Sequence, residues 1–120
     1  MAYPDAMFCS PETNGVVYVA GAGARPGSWR KTGTADAAFM RSRDHGATWE
    51  LLSLPELRGN IEAATLVEWP GGYGFFAGTT DGEVFASTDR GDTWTQLAGG
   101  LPAVSKCVHA ANLVAGRGAA

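Results

Sequence analysis

The octapeptide Ser42-Arg-Asp-His-Gly-Ala-Thr-Trp49 is the most informative stretch of this sequence. A closely similar octapeptide, Ser87-Thr-Asp-Arg-Gly-Asp-Thr-Trp94, follows 45 residues later. Both copies read S-x-D-x-G-x-T-W, so five of the eight positions are identical, and one of these is a tryptophan. A repeat of this period is typical of the blades of a β-propeller. The octapeptides therefore predict two equivalent structural units in this chain.

Each octapeptide has the composition of a tight turn between two strands. Its glycine allows the positive φ that such a turn needs. Its aspartate can accept hydrogen bonds from backbone N–H groups of the turn, and its hydroxyls can tie the turn to neighbouring backbone. Its tryptophan is expected to bury a large ring against adjacent strands. The residues with this predicted structural role are Ser42, Asp44, Gly46, Thr48, Trp49, Ser87, Asp89, Gly91, Thr93 and Trp94.

The sequence around the octapeptides repeats as well. An apolar pair precedes each of them, and a Leu-Pro step follows each, at Leu54-Pro55 and Leu101-Pro102. Farther upstream, the run Val16–Gly21 parallels Tyr73–Gly78, which places a 12-residue insertion in the first unit, within Ala22–Asp36. Short apolar runs between turn signals predict strands. The predicted strands are 4–9, 15–21, 37–43 and 48–53 in the first unit, 61–69, 73–79, 83–88 and 93–98 in the second, and 103–113 at the end.

Composition narrows the class of protein. Seventeen glycines among 120 residues, with 45% apolar and 18% charged residues, indicate a globular chain with many turns. The net charge of −3 argues against a nucleic-acid partner, and no apolar run is long enough for a membrane span. Neither a signal peptide nor metal-ligand spacing is visible, and we expect no metal and no cofactor. Cys9 and Cys107 are predicted to be buried free thiols, with a disulfide as the alternative, and this favours a reducing, cytoplasmic location.

These motifs resemble the Asp-box (BNR) repeats of sialidases, xyloglucanases, sortilin-type receptors and photosystem assembly factors. The chain is most similar to the C-terminal region of bacterial WD40/YVTN/BNR-like proteins, which are often termed glycosyl-hydrolase-like. The likeness covers about 3–113 and is carried by Phe39–Asp44, Phe76–Gly82, Val84–Asp89 and Leu101–Val104.

The resemblance implies an all-β fold. It consists of two consecutive four-stranded antiparallel blades of a β-propeller, at about 4–55 and 60–100, and a final strand of a third blade at about 103–113. The whole chain 1–120 would then be one partial propeller domain, completed by the remaining blades of a longer parent chain. Because two blades leave sheet faces uncovered, we expect the isolated chain to be marginally stable, self-associating or prone to aggregation.

The resemblance also implies where a ligand would bind. In such propellers the first strand of each blade lines the central channel, and the loops opposite the Asp boxes form the binding face. The insertion carries Arg25, Trp29 and Arg30, and Arg58 lies in the linker between the blades, a composition that suits an anionic or sugar ligand. An ordinary solvated loop is the alternative. Glu62, at the start of a first strand, is the best candidate for a functional carboxylate, and the alternative is a solvated residue of the channel.

Three functions remain open from the sequence. The first is a non-catalytic scaffold with a binding face for a carbohydrate or a protein. The second is part of a sialidase-like or xyloglucanase-like glycoside hydrolase, although neither an arginine triad nor a motif-borne pair of carboxylates is present. The third is a truncated gene product without function. The Asp box occurs in enzymes and non-enzymes alike, so it does not decide between them.

Overall fold

The computed structural model describes residue 1 and residues 3–23, 33–55 and 57–104, which form eight β-strands and no helix. Sheet 1 consists of β1 (Tyr3–Cys9), β2 (Val17–Ala22), β3 (Ala37–Ser42) and β4 (Glu50–Leu51), and sheet 2 of β5 (Ile61–Trp69), β6 (Gly72–Thr79), β7 (Val84–Ser87) and β8 (Thr95–Ala98). Each sheet is an antiparallel meander in chain order. The predicted all-β class with two four-stranded antiparallel sheets is confirmed. Within the described residues no helix could span a membrane.

The strand bounds agree for every strand except the two that follow the octapeptides, β4 and β8. β5 has its predicted bounds, and β1, β2, β3, β6 and β7 end within two residues of theirs. The predicted starts of the fourth strands, at 48 and 93, are wrong, because these threonines and the tryptophans after them still belong to the turns. The predicted strand 103–113 falls mostly outside the described residues. Val104 lies outside any strand, although its N–H donates to the Thr79 carbonyl at 2.9 Å.

The two sheets share one pairing register. A row across sheet 1, Met7, Val19, Met40 and Leu51, corresponds to a row across sheet 2, Ala64, Ala77, Phe85 and Gln96. The next row, Phe8, Tyr18, Arg41 and Glu50, corresponds to Thr65, Phe76, Ala86 and Thr95. The first strands are also alike, because each has a register shift at one acidic residue, Asp5 in β1 and Glu62 in β5.

This register corrects the sequence alignment by one residue. Val17 pairs with Ser42 and Phe75 pairs with Ser87, so Val17 is equivalent to Phe75 and not to Gly74. The insertion between β2 and β3 is therefore one residue longer than predicted. The shift matters because successive residues of a strand point to opposite faces, so an alignment that is off by one assigns a side chain to the wrong face.

The sheets pack face to face through an aromatic core. Tyr18 and Phe39 of sheet 1 meet Phe75 of sheet 2 with ring centroids 4.7 and 5.1 Å apart, and Trp94 lies 5.2 Å from Phe39. Alternation along the strands brings these side chains to one face of each sheet. We call them the contact faces: Phe8, Tyr18, Ala20, Phe39 and Arg41 in sheet 1, and Ala64, Phe75, Ala77, Phe85 and Trp94 in sheet 2.

The opposite face of each sheet has no other described strand packed against it. The open face of sheet 1 consists of Met7, Val19, Met40, Trp49 and Leu51, and that of sheet 2 of Thr65, Phe76, Val84 and Ala86. The residues on the open face of sheet 1 occupy the same positions in their strands as the residues on the contact face of sheet 2. Met7 is 72% exposed, Leu51 69% and Phe76 44%.

Two burial predictions are wrong for this reason. The ring of Trp49 was expected to be buried and is 40% exposed, whereas its counterpart Trp94 is partly buried against the core. Cys9 was expected to be buried and is an exposed free thiol in the row beside Val17 on the open face of sheet 1. Cys107 lies outside the described residues.

Candidate functional site

The two octapeptide turns, residues 42–49 and 87–94, have one hydrogen-bond pattern. In the first turn, Asp44 Oδ1 accepts from the Thr48 N–H at 2.8 Å and Asp44 Oδ2 from the Thr48 hydroxyl at 2.6 Å. Ser42 Oγ donates to Asp44 and accepts from the Gly46 N–H at 2.7 Å. The indole N–H of Trp49 donates to the Gly46 carbonyl at 3.0 Å. Every one of these bonds recurs in the second turn, within 0.2 Å.

Both turns contain two consecutive residues with positive φ. These are His45 (60°) and Gly46 (93°) in the first turn, and Arg90 (62°) and Gly91 (93°) in the second. Glycine meets this requirement without a Cβ clash, as expected from the sequence. The threonine hydroxyls differ from the expectation, because they bind the aspartate carboxylate and not neighbouring backbone.

The turn carboxylates are held in their ionised form. The hydroxyl of Thr48 is the main cause that lowers the pKa of Asp44 to about 2, helped by the Thr48 N–H and by Ser42. The pKa of Asp89 is lowered in the same way, first by the Thr93 hydroxyl. A carboxylate that already accepts three hydrogen bonds within its own turn is suited to a structural role and not to proton transfer.

The variable positions of the second turn, Arg90 and Asp92, provide its polar contacts with sheet 1. The Arg90 carbonyl accepts from the Tyr18 hydroxyl at 2.8 Å and from Arg41 Nη1 at 3.1 Å. Arg41 Nη2 lies 2.7 Å from Asp92 Oδ1, and the Ser53 hydroxyl donates to the Asp92 carbonyl at 3.0 Å. The consensus residues thus form the hydrogen bonds within the turn, and Arg90 and Asp92 form its polar links to sheet 1.

Arg41 is the buried charge of this contact, with a side chain only 7% exposed. Its guanidinium also lies 2.5 Å from Glu50 on the neighbouring strand. Burial by itself lowers the pKa of Arg41, but hydrogen bonds with Asp92, Glu50 and Tyr18 outweigh it and raise the pKa above its ordinary value. The same contact with Arg41 lowers the pKa of Glu50. A buried guanidinium needs such partners, because its desolvation is otherwise uncompensated.

Arg90 makes a second, exposed link between the sheets. Its side chain forms a two-pronged ion pair with Glu12, at 2.9 and 2.6 Å, and lies 5.4 Å from the centre of the Tyr73 ring. Tyr73 in turn shares a 2.7 Å hydrogen bond with Tyr18, and burial is the main reason that the pKa of Tyr18 is raised. The hydrogen bonds to Arg90 lower the pKa of Glu12.

Of the predicted binding residues, Arg58 lies at the opposite end of the sheets, which we call the loop end. The described residues that form it are 33–36 before β3, those of the linker between β4 and β5, and the β6–β7 turn. Backbone bonds hold these segments together, from the Ala35 N–H to the Arg58 carbonyl and from the Thr80 N–H to the Asn60 carbonyl. Arg58 is exposed there. Arg25, Trp29 and Arg30 lie outside the described residues.

Glu62 is half-buried at the bulge of β5, and the structure brings Asn60 and Asp5 to the same region. The Asn60 side-chain amide donates to Asp5 Oδ2, which joins the linker to β1. Asn60 is fully buried, and its Oδ1 has no hydrogen-bond partner in the part of the chain that the structure describes. Sequence reasoning missed Asp5. Aligning β1 with β5 would have found it, because it is the positional counterpart of Glu62.

Within the described residues, no group of three or more histidine, cysteine or acidic side chains could hold a metal ion. Sequence reasoning also missed Arg41 and Asp92, because neither belongs to the octapeptide consensus.

No protein-family model matches this chain, and no curated protein matches it significantly.

Proposed function

We propose that this chain is a segment of an Asp-box (BNR-type) β-propeller that acts as a non-catalytic scaffold and presents a binding face. The two sheets would be consecutive blades. One observation carries this proposal: the contact face of sheet 2 has its counterpart in the open face of sheet 1, so the packing of sheet 2 on sheet 1 is a step that can be repeated. Repetition of one packing step is how propeller blades are arranged.

The binding face in this proposal is the loop end, where Arg58 is exposed and Asn60, Asp5 and Glu62 are close together in the fold. The other end of the sheets is formed by the octapeptide turns and is engaged in contacts between and within the sheets. Each of its ionised aspartates already accepts three hydrogen bonds. The ligand would be a carbohydrate or a protein, and further blades, from a longer parent chain or another source, would cover the open faces.

A non-catalytic role is favoured because the lowered carboxyl pKa values all belong to turns and ion pairs. A glycosidase requires an acid whose pKa is raised, beside a second carboxylate across the scissile bond. The enzymatic alternative is tested directly by incubating the full chain with an aryl sialoside and with xyloglucan. We expect no turnover by the wild type, by Glu62→Gln or by the control Glu68→Gln. If the wild type and Glu68→Gln hydrolyse a substrate and Glu62→Gln does not, the chain is part of a glycoside hydrolase and the scaffold proposal is wrong.

Ligand binding is tested by amide chemical shifts upon titration with sialyllactose and with xyloglucan oligosaccharides. We expect the shifts to concentrate at the loop end, around Arg58 and Thr80. The two exposed arginines Arg58 and Arg43 lie at opposite ends of the sheets, so Arg58→Ala should weaken binding and Arg43→Ala should not. Shifts confined to the octapeptide turns would contradict the proposed binding face.

A further inference from the structure

We propose that the two open faces are each other's partners, so that copies of this chain stack head to tail. The open face of sheet 2 in one copy would pack on the open face of sheet 1 in the next copy. In this new contact, sheet 2 takes the place that sheet 1 has in the existing contact, and sheet 1 of the next copy takes the place of sheet 2. This inference rests on the blade arrangement proposed above and names the source of the neighbouring blades, a second copy of this chain.

The apolar residues of the two open faces suit this stacking. On sheet 1, Val19 and Met40 occupy the positions that Ala77 and Phe85 occupy on the contact face of sheet 2. On sheet 2, Phe76 and Val84 occupy the positions of Tyr18 and Phe39. Val104 lies on the same open face beside Gly78. Each open face therefore presents apolar side chains where the existing contact has its aromatic core.

The polar residues make the choice of partner specific. The existing contact holds Arg41 between Glu50 and Asp92, with the Tyr18 hydroxyl alongside. On the open face of sheet 2 the counterparts of Tyr18, Arg41 and Glu50 are Phe76, Ala86 and Thr95. On the side of sheet 1, the counterpart of Asp92 in the first turn is Ala47.

The buried arginine and its polar partners are thus absent together from the two faces that would meet. A blade with an arginine like Arg41 would face Ala47 in place of Asp92. Its guanidinium would keep the ion pair within its own sheet and lose the one across the contact, which is unfavourable for a buried charge. Sheet 2 of another copy brings Ala86 to that place and buries no charge. This complementarity selects the second copy over a blade that resembles sheet 1.

The proposed contact joins two different faces, so it is heterologous and propagates until it closes. Each copy contributes two blades. Two, three or four copies would form rings of four, six or eight blades, which is within the range of closed propellers. We therefore expect a discrete oligomer and not a two-fold dimer that uses one face twice.

Size-exclusion chromatography with light scattering tests this on the full chain. The wild type should have a mass of about two, three or four times 12.5 kDa. Met7→Glu on the open face of sheet 1 and Phe76→Glu on that of sheet 2 should each be monomeric. Both residues are exposed in the single chain, so neither change disturbs the core. An equimolar mixture of the two variants should form a one-to-one heterodimer, because each retains the face that the other has lost.

Asn14→Asp is the matched control, since it adds the same charge in an exposed turn and retains the acceptor for the Val16 N–H. It should behave as the wild type. If Met7→Glu does not fold by circular dichroism, Leu51→Glu tests the same row. A monomeric wild type, a variant that still dimerises alone, or a mixture that does not associate would each overturn the stacking. None of these outcomes bears on the ligand titration or the turnover assay, so failure here is distinguishable from failure of the proposed function.

Discussion

Asp44 and Asp89 each hold an octapeptide turn together by accepting three hydrogen bonds on their two carboxylate oxygens. A neutral amide at the same position would keep one oxygen and lose the second acceptor. Asp44 is exposed and Asp89 half-buried, so their contribution depends mainly on the geometry of these hydrogen bonds. The same residues make the stability of the chain sensitive to acid.

We expect the free energy of unfolding to fall as the pH is lowered through the range from 3.8 to about 2. The folded pKa of Asp44 lies below its ordinary value of 3.8, so the unfolded state binds more protons in that window. The stabilisation is fully present above the ordinary pKa and is lost as the pH falls through the folded one. Urea unfolding at fixed protein concentration measures it. The double variant Asp44→Asn/Asp89→Asn should be less stable at neutral pH and show a flatter acid limb; an unchanged limb would contradict this.

Asp92 is the partner of Arg41 across the two sheets, and Asp92→Ala should lower the free energy of unfolding by about 1 kcal/mol. The value is modest because Asp92 is 55% exposed and Arg41 keeps Glu50. Arg43→Ala removes an exposed 3.4 Å pair with the same Glu50 and should change stability by less than about 0.5 kcal/mol. Equal effects of the two changes, measured by denaturant unfolding, would show that Arg41 does not depend on Asp92.

At the scale of the elements, the two octapeptide turns have the same internal hydrogen bonds but different neighbours in the fold. Gly91 lies against sheet 1, where an added Cβ would come within 2.8 Å of a Leu52 methyl group. Gly46 has the same φ of 93°, yet the nearest atom to an added Cβ is 3.7 Å away, in Trp49 of its own turn. The pair separates the cost of backbone conformation from the cost of packing between sheets.

Gly46→Ala should destabilise the chain by about 1 kcal/mol through backbone strain alone. Gly91→Ala should cost about 1 kcal/mol more, because the methyl group also overpacks the contact face. Thermal or urea unfolding of both variants at one protein concentration provides the comparison. Indistinguishable stabilities would mean that the second turn does not pack against sheet 1 as described.

At the scale of the whole molecule, the described strands leave one apolar face of each sheet without a neighbouring sheet, and Met7 and Phe76 are exposed there. Any process that covers the faces by association makes stability depend on protein concentration. The unfolding midpoint of the wild type should therefore rise with concentration. The midpoint of Met7→Glu should not, since it cannot pass beyond the monomer. A concentration-independent wild type would contradict self-association of the folded chain.

The turns, the alternation of strands and the two similar units can be predicted from the amino-acid sequence, because each depends on residues close together along the chain. Every hydrogen bond inside an octapeptide spans at most four residues, so the motif carries its own geometry. Which copy of a repeated residue is covered depends on how the two sheets pack. Trp49 and Trp94 are equivalent in sequence, but only Trp94 has a sheet packed against it.

Three further features could not be predicted from the local sequence. They are the pairing of Arg41 with Asp92, the hydrogen bond from Asn60 to Asp5 and the one-residue correction of the alignment. Each joins residues that are distant along the chain or depends on which face of a strand meets a neighbouring sheet. Local patterns contain no information about that neighbour, because side-chain alternation defines two faces of a strand without choosing the one that is buried. Packing between the sheets makes that choice here.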